Sequence, residues 1–279
     1  MRRLTCASVL ASCVVWGCAL PSPRVPEPEG AESFDATTDL ISLHYDHAPD
    51  RDDGQSAAAD RTLLESVYGA CWLEQHVVAV SGTYGWMGFA FRTDSDAVME
   101  AAWGNRGGWL DAHRERERAV EELAARWASV LAAGGDVWVK EGGSSDVTAA
   151  VVRKLQAERP GIDTRRQIHV VQHGKYNEWL TWLRAMRYTR QETDFRRIPH
   201  ADPYLSRAGG APAFEAAAIS HPTFGPAWRE AFAYYDPRKR LDFSDTGETL
   251  YIVGLGEVGI DEFGERFLQG GTTEAARCD

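Results

Sequence analysis

Residues 40–54 read LISLHY (Leu40–Tyr45) followed by DHAPDRDDG (Asp46–Gly54), and the alanine-rich SAAADRTLLESVYGA (Ser56–Ala70) comes directly after. A short apolar run, an acidic turn and a helical pattern make the opening of an α/β unit. Ala58, Leu63, Leu64 and Val67 fall at helical spacing. Within residues 44–53 stand four carboxylates (Asp46, Asp50, Asp52, Asp53) and two imidazoles (His44, His47). Like charges packed this closely repel, so the loop needs open water or a cation held by oxygen ligands. A solvated loop capping the next helix is the alternative, because Asp there satisfies free N–H groups.

The same alternation recurs downstream. Strands are expected at residues 40–45, 76–80, 136–140 and 167–171. Helices are expected at 56–70, 95–103, 111–133, 147–158 and from about 177 to 187. In the 111–133 helix, Val120, Leu123, Trp127 and Val130 step by three and four. Alternating strands and helices predict an α/β fold, a mostly parallel sheet with helices on both faces. From Tyr188 to Gly225 the pattern weakens into expected loops, with a possible strand at 194–198. Further helices are expected at 226–235, 246–255 and 261–268.

Each expected strand ends in its own polar cluster: Asp46–Asp53, Ser81–Tyr84, Glu141–Asp146 and Gln172–Glu178. Parallel sheets form their sites beyond the carboxyl ends of their strands. A shared pocket explains the four clusters together, whereas helix capping explains only single residues such as Ser145, Asp146 or Asn177.

Composition narrows the function. The 279 residues are 44% hydrophobic and 25% charged, with a net charge of -11, which disfavours a nucleic-acid partner. Arg2 and Arg3 precede an apolar stretch, Leu4–Trp16, too short to span a membrane comfortably. Val15-Trp16-Gly17-Cys18 has the form of a lipobox. The expected organisation is a signal peptide at 1–17, lipidation at Cys18, a proline-rich tether at 18–38 and one α/β domain at 39–279. That organisation implies an exported envelope protein held at the membrane by its lipid anchor alone. Cys71 and Cys278 allow one disulfide in such a compartment.

Several motifs are excluded. The acidic loop lacks EF-hand spacing, Glu141–Ser145 lacks the Lys of a phosphate loop, and there is no Gly-x-Ser-x-Gly elbow. Gly254-Leu255-Gly256-Glu257-Val258-Gly259 matches a dinucleotide fingerprint only in spacing, since too little chain remains for a βαβ unit. His44-Tyr45-Asp46-His47 is half of a dinuclear-zinc pattern, with Ser42 where its first His belongs, and His173, His200 and His221 are further candidate nitrogen ligands.

The apolar first strand, Asp46 at its end, Asp52-Asp53 before an alanine-rich helix, the Gly142-Gly143-Ser144 loop and Asn177-Glu178 occur in an order that resembles the nucleoside hydrolases. His44 stands where that family has its first Asp, and the spacing from Asp46 to Asp52 is two residues longer. The resemblance spans roughly residues 39–180 and implies hydrolysis of an N-glycosidic bond of a nucleoside or related glycoside by a calcium-bound water. Carried over residue by residue, it implies a divalent cation, calcium, on Asp46, Asp52, Asp53 and a late Asp, either Asp242 or Asp245, with Asp242 the choice. Asp46 and Asp53 are then expected to be catalytic, with His221 or His173 as leaving-group acid, His221 being the choice. Tyr84, Asn177 and Glu178 are expected to bind substrate. Trp179 and Trp182 are expected to pack in the core, with stacking on a base or sugar as their alternative, shared by Tyr84 and Trp86. Two rivals stand beside this expectation. One is a metallohydrolase of a phosphoester built on His44, Asp46 and His47, and the other is a non-catalytic sugar- or nucleoside-binding lipoprotein.

Overall fold

The structure is a computed structural model that describes residues 33–48, 51–86, 94–105 and 108–269. The expected signal peptide, the expected lipidation site Cys18 and most of the expected tether lie outside the described residues, as does Cys278. Cys71 is disulfide-bonded.

Strand β1 (Leu40–Tyr45) is buried along its whole length. Its residues alternate between two apolar layers. Ile41, Leu43 and Tyr45 belong to one core, and Leu40 belongs to the other. Burial on both faces explains why β1 reads as a continuous apolar run rather than as a polar–apolar alternation. It pairs in parallel with β2 (Val77–Ser81) on one side and β4 (Val137–Glu141) on the other. β3 (Trp109–Asp111), β5 (Ile168–His173) and β6 (Asp194–Ile198) complete an all-parallel six-stranded sheet in the order β3-β2-β1-β4-β5-β6. The expected α/β class therefore holds. The chain turns from one half of the sheet to the other between β1 and β4, and in such sheets the crevice for a ligand opens there.

One layer rests on α1 (Asp53–Tyr68), where Ala57, Ala58 and Ala59 are fully buried and permit close approach. α2 (Ala70–His76) follows it into β2. α3 (Asp96–Trp103) lies between β2 and β3 in sequence and packs on α1. The opposite layer is α4 (Arg116–Ala132) and α5 (Asp146–Glu158), whose Leu123, Trp127, Val147, Val151 and Leu155 cover Val78, Val80, Val139 and Val170. A short turn, α6 (Thr164–Gln167), leads into β5.

Beyond β5 come α7 (Tyr176–Leu180), α8 (Leu183–Glu192), β6, α9 (Asp202–Leu205) and β7 (Ser206–Ala208). Then follow α10 (Pro212–Ser220), α11 (Gly225–Tyr234), β8 (Arg240–Asp242) and α12 (Thr246–Ile252). β7 and β8 form a small antiparallel pair. α13 (Ile260–Phe263) runs into a π-helical turn at Gly264–Gln269.

Three expectations change. The helix assigned to 111–133 starts at Arg116, because Asp111 Oδ1 accepts the amides of His113 and Arg114 and turns the chain out of β3. The stretch expected to be loops contains α10, whose alanines give it no polar face to mark a period. The folded domain begins before the expected boundary at residue 39, since Phe34 packs edge-on against Tyr68, Trp72 and Trp138. Among the described residues, no helix is long and apolar enough to cross a membrane.

Candidate active site at the carboxyl edge of the sheet

The four polar loops do converge. After β1, Tyr45 O accepts the amides of Gly82 and Thr83 from the β2 loop. Thr83 O accepts the amide of Ser144, and His44 O accepts that of Gly142, both from the β4 loop. Gln172 at the end of β5 donates to Gly143 O at 2.8 Å, and Asn177 donates to Gly142 O at 2.9 Å. Gly143 is wedged so tightly that a Cβ there would lie 2.6 Å from Thr83 Oγ1 and 2.7 Å from the Cβ of Asp46. The apposition of these backbones requires glycine at that point.

Asp53 organises the acidic loop. The amides of Asp46 and His47 both donate to its Oδ2, each at 2.7 Å. His47 has φ 53°, the only positive value among the described non-glycine residues. Left-handed backbone at a residue with a side chain costs energy, and two amides converging on one buried carboxylate oxygen hold it. Asp52 caps α1, its Oδ1 accepting the Asp53 amide at 3.2 Å. Asp46 Oδ1 accepts the amide of Ala48 at 2.9 Å.

The counter-charge is Lys140. It lies on β4, fully buried, with Nζ 3.9 Å from Asp53 Oδ1, 3.8 Å from Asp60 Oδ2 and 4.2 Å from the centre of the Tyr45 ring. Tyr45 donates its hydroxyl to Asp60 Oδ2 at 2.7 Å. Burial pulls the Lys140 ammonium down, but Asp60, Asp245, Asp53 and Glu248 outweigh it and hold the group above its ordinary value. One ammonium does not balance four carboxylates. Burial, with repulsion from Asp46 and Asp245, pushes Asp53 well above the usual carboxylate range. Burial raises Glu248 to about 7 against the opposing pull of His173. Crowding and burial thus push these carboxyls toward their protonated forms. His47, buried and repelled by Lys140, is pushed down to about 3 and is neutral.

The expected calcium ligands do not gather. Asp242 turns to Arg240 at 2.7 Å and Ser206 at 2.9 Å, while Asp245 is the late aspartate that acts on Asp53. Calcium needs six to eight oxygens around one point. Among the described residues no three of Asp46, Asp52, Asp53 and Asp242 place ligand atoms within 4.8 Å of one another. Calcium does not fit this set, whose positive charge comes from Lys140.

Other expected residues are placed elsewhere. His221 caps a turn, its Nδ1 accepting the amides of Thr223 and Phe224, and it senses Glu65. Glu65 is twelve residues along α1 from Asp53, about 18 Å at 1.5 Å per residue, so His221 is not an acid for this centre. Glu178 is paired with Arg190 and Arg197, and Tyr84 bonds to His113. Asn177 buttresses the β4 loop. His44 shares hydrogen bonds with Ser42 (3.1 Å), Glu141 (3.1 Å) and Thr148 (3.2 Å) and stacks over Trp127, in the α4–α5 layer. His47 instead lies edge-on to Tyr234, so the two imidazoles are on opposite faces of the sheet and cannot share a metal.

Two features differ from the sequence reading or extend it, the second by adding Asp202 to the candidate ligands His173 and His200. Trp179 and Trp182 are not core residues; they are 59% and 61% exposed. Trp86, whose indole donates to Trp179 O at 3.2 Å, packs edge-on against Trp179 and forms an aromatic rim with it. The second is a group able to hold a metal ion: His173 at the end of β5, His200 after β6, and Asp202 opening α9. A cavity of about 360 Å³ beside Gln156, Thr164, Arg165 and Glu192 lies at the amino end of β5, away from all of these.

Comparison with protein-family models, with curated proteins and with solved structures finds no match, so the likeness to nucleoside hydrolases rests on the residues alone.

Proposed function

We propose that the protein is an exported, lipid-anchored hydrolase that cleaves the glycosidic bond of a nucleoside or related glycoside at the carboxyl edge of its sheet. The observation that supports this most is the pairing of two unlike surfaces. Buried carboxylates, Asp46 and Asp53, stand at the end of β1, and an exposed aromatic rim lies close by. Thr83 packs against the Asp46 loop and Trp86 is three residues on, so the rim begins within about 11 Å of Thr83. Sugars and bases present flat apolar faces to such rings and hydroxyls to carboxylates.

In this reading Asp46 accepts a proton from water as the water oxygen bonds to the anomeric carbon. The bond from that carbon to the leaving group breaks, and the leaving group takes a proton from Asp53, whose carboxyl burial pushes upward. The remaining carboxylates, Asp245 among them, stabilise the oxocarbenium-like charge that develops on the sugar. The two aspartates divide the work because their surroundings differ, not because their chemistry does.

The test is release of reducing sugar from a panel of nucleosides and glycosides by the purified chain. Turnover that falls at least 100-fold in Asp46→Asn, with an unchanged circular dichroism spectrum, is the expected result. Saturable binding without release of sugar would make the protein a sugar- or nucleoside-binding module instead.

A further inference from the structure

We propose that His173, His200 and Asp202 bind one transition-metal dication of the zinc class, at a site that shares Glu248 and Asp245 with the acid centre through His173. The three residues come from different elements: the end of β5, the β6–α9 turn and the first residue of α9. His173 Nε2 is 3.9 Å from Asp202 Oδ1, and His200 Nδ1 is 3.6 Å from the same oxygen. Ligands bound tetrahedrally at 2.0–2.1 Å from one ion lie about 3.4 Å apart. The observed separations are within half an ångström of that, and all three ligand atoms lie within 4.8 Å of one another.

The surroundings are built as metal sites are. Glu248, fully buried, grips His173 twice: Oε1 accepts the backbone amide at 2.7 Å and faces ring Nδ1 at 3.2 Å. A carboxylate on the inner nitrogen fixes the ring and leaves Nε2 pointing outward, the arrangement that orients a metal-binding imidazole. Gly174 has φ 69°, and a Cβ there would collide with the His200 ring, so this glycine makes room for the second ligand. Arg240 reaches Asp202 Oδ2 at 3.5 Å and leaves Oδ1 to the histidines. Two nitrogens and one carboxylate favour zinc-like ions over calcium or magnesium, which take oxygen. His200 is 55% exposed, so a fourth position is open to water or to a substrate oxygen. Three protein ligands with an open place is the pattern of catalytic rather than structural zinc.

The experiment is titration of the tag-free, chelator-treated full chain with Zn2+ by calorimetry, and with Co2+ by visible absorption. One equivalent of zinc, with a cobalt band typical of nitrogen–oxygen ligation, is expected. His200→Ala and Asp202→Asn should each weaken binding at least tenfold, with His221→Ala unchanged. Both substitutions fall at partly exposed side chains, and circular dichroism checks that the variants are folded. Failure of the wild-type chain to take up a stoichiometric ion overturns the proposal. So does retention of wild-type affinity by the folded His200→Ala and Asp202→Asn chains. The titration uses no glycoside, so its failure is distinct from failure of the hydrolase reading.

Discussion

Lys140 decides how the acidic loop works. In sequence it is one polar residue in Val137-Trp138-Val139-Lys140-Glu141, where it passes as the end of a buried strand. In the fold its alternation points it into the α1 layer, among Asp53 and Asp60. The need of the acidic loop for a cation was legible from four carboxylates in ten residues. Its source was not, because the lysine is 87 positions from Asp53 and only pairing of β1 with β4 brings them together. Removing one partner from a buried charge group strands the others. Lys140→Met should therefore destabilise the protein by about 3–5 kcal/mol near pH 8. The loss should shrink toward pH 5, where Asp53 and Glu248, already pushed upward, take up protons. Urea denaturation at the two pH values measures it, and equal losses at both would remove Lys140 as the counter-charge.

Among the elements, α5 and α7 carry the clearest consequences. Asp146 opens α5 and accepts the Trp182 amide at 3.2 Å. Burial pushes its carboxyl up to about 6, the Trp182 amide and Arg116 opposing it. A carboxyl raised in the folded state contributes stability that is complete below about pH 4 and is lost as pH rises through about 6. Asp146→Asn stays neutral while its side-chain oxygen still accepts the amide. It should match the wild type at pH 4 and exceed it at pH 7.5 by about 1–3 kcal/mol. Denaturation midpoints at those pH values check the crossing. On α7, Trp179→Ala should leave stability unchanged, because the ring is exposed, and raise KM about two- to tenfold with kcat held. The strands around this region were legible from period and length, but the single helix expected to end near Arg187 breaks at Thr181 and Trp182 into α7 and α8. The outward aim of Trp179 was not, because a tryptophan in a short helix gives the same pattern whether buried or at a rim. β3, three residues long and partly exposed, carried too few apolar positions to register as a strand.

At the scale of the molecule, the strand order concentrates chemistry. Placing β1 and β4 side by side brings the first and third polar loops together, and β2 and β5 flank them. Alternation of strands and helices was enough to predict the parallel sheet and the edge on which a site would form. It did not predict which late residues return to that edge, and of the two aspartates the resemblance offered, Asp245 rather than the chosen Asp242 acts on Asp53. Asp245 and Glu248 arrive on α12 after the irregular stretch between β6 and β8, where short elements such as β7 have no period to read. The central claim is that the carboxylates at the end of β1 work with Lys140 as their resident cation and without calcium. The direct measurement is the rate of reducing-sugar release by wild type and Asp46→Asn, before and after EGTA and then with added calcium. The account predicts that Asp46→Asn loses at least 100-fold throughout, and that added calcium leaves the wild-type rate where EGTA put it. Wild-type activity that EGTA abolishes and calcium restores, or an Asp46→Asn chain as active as wild type, would contradict it.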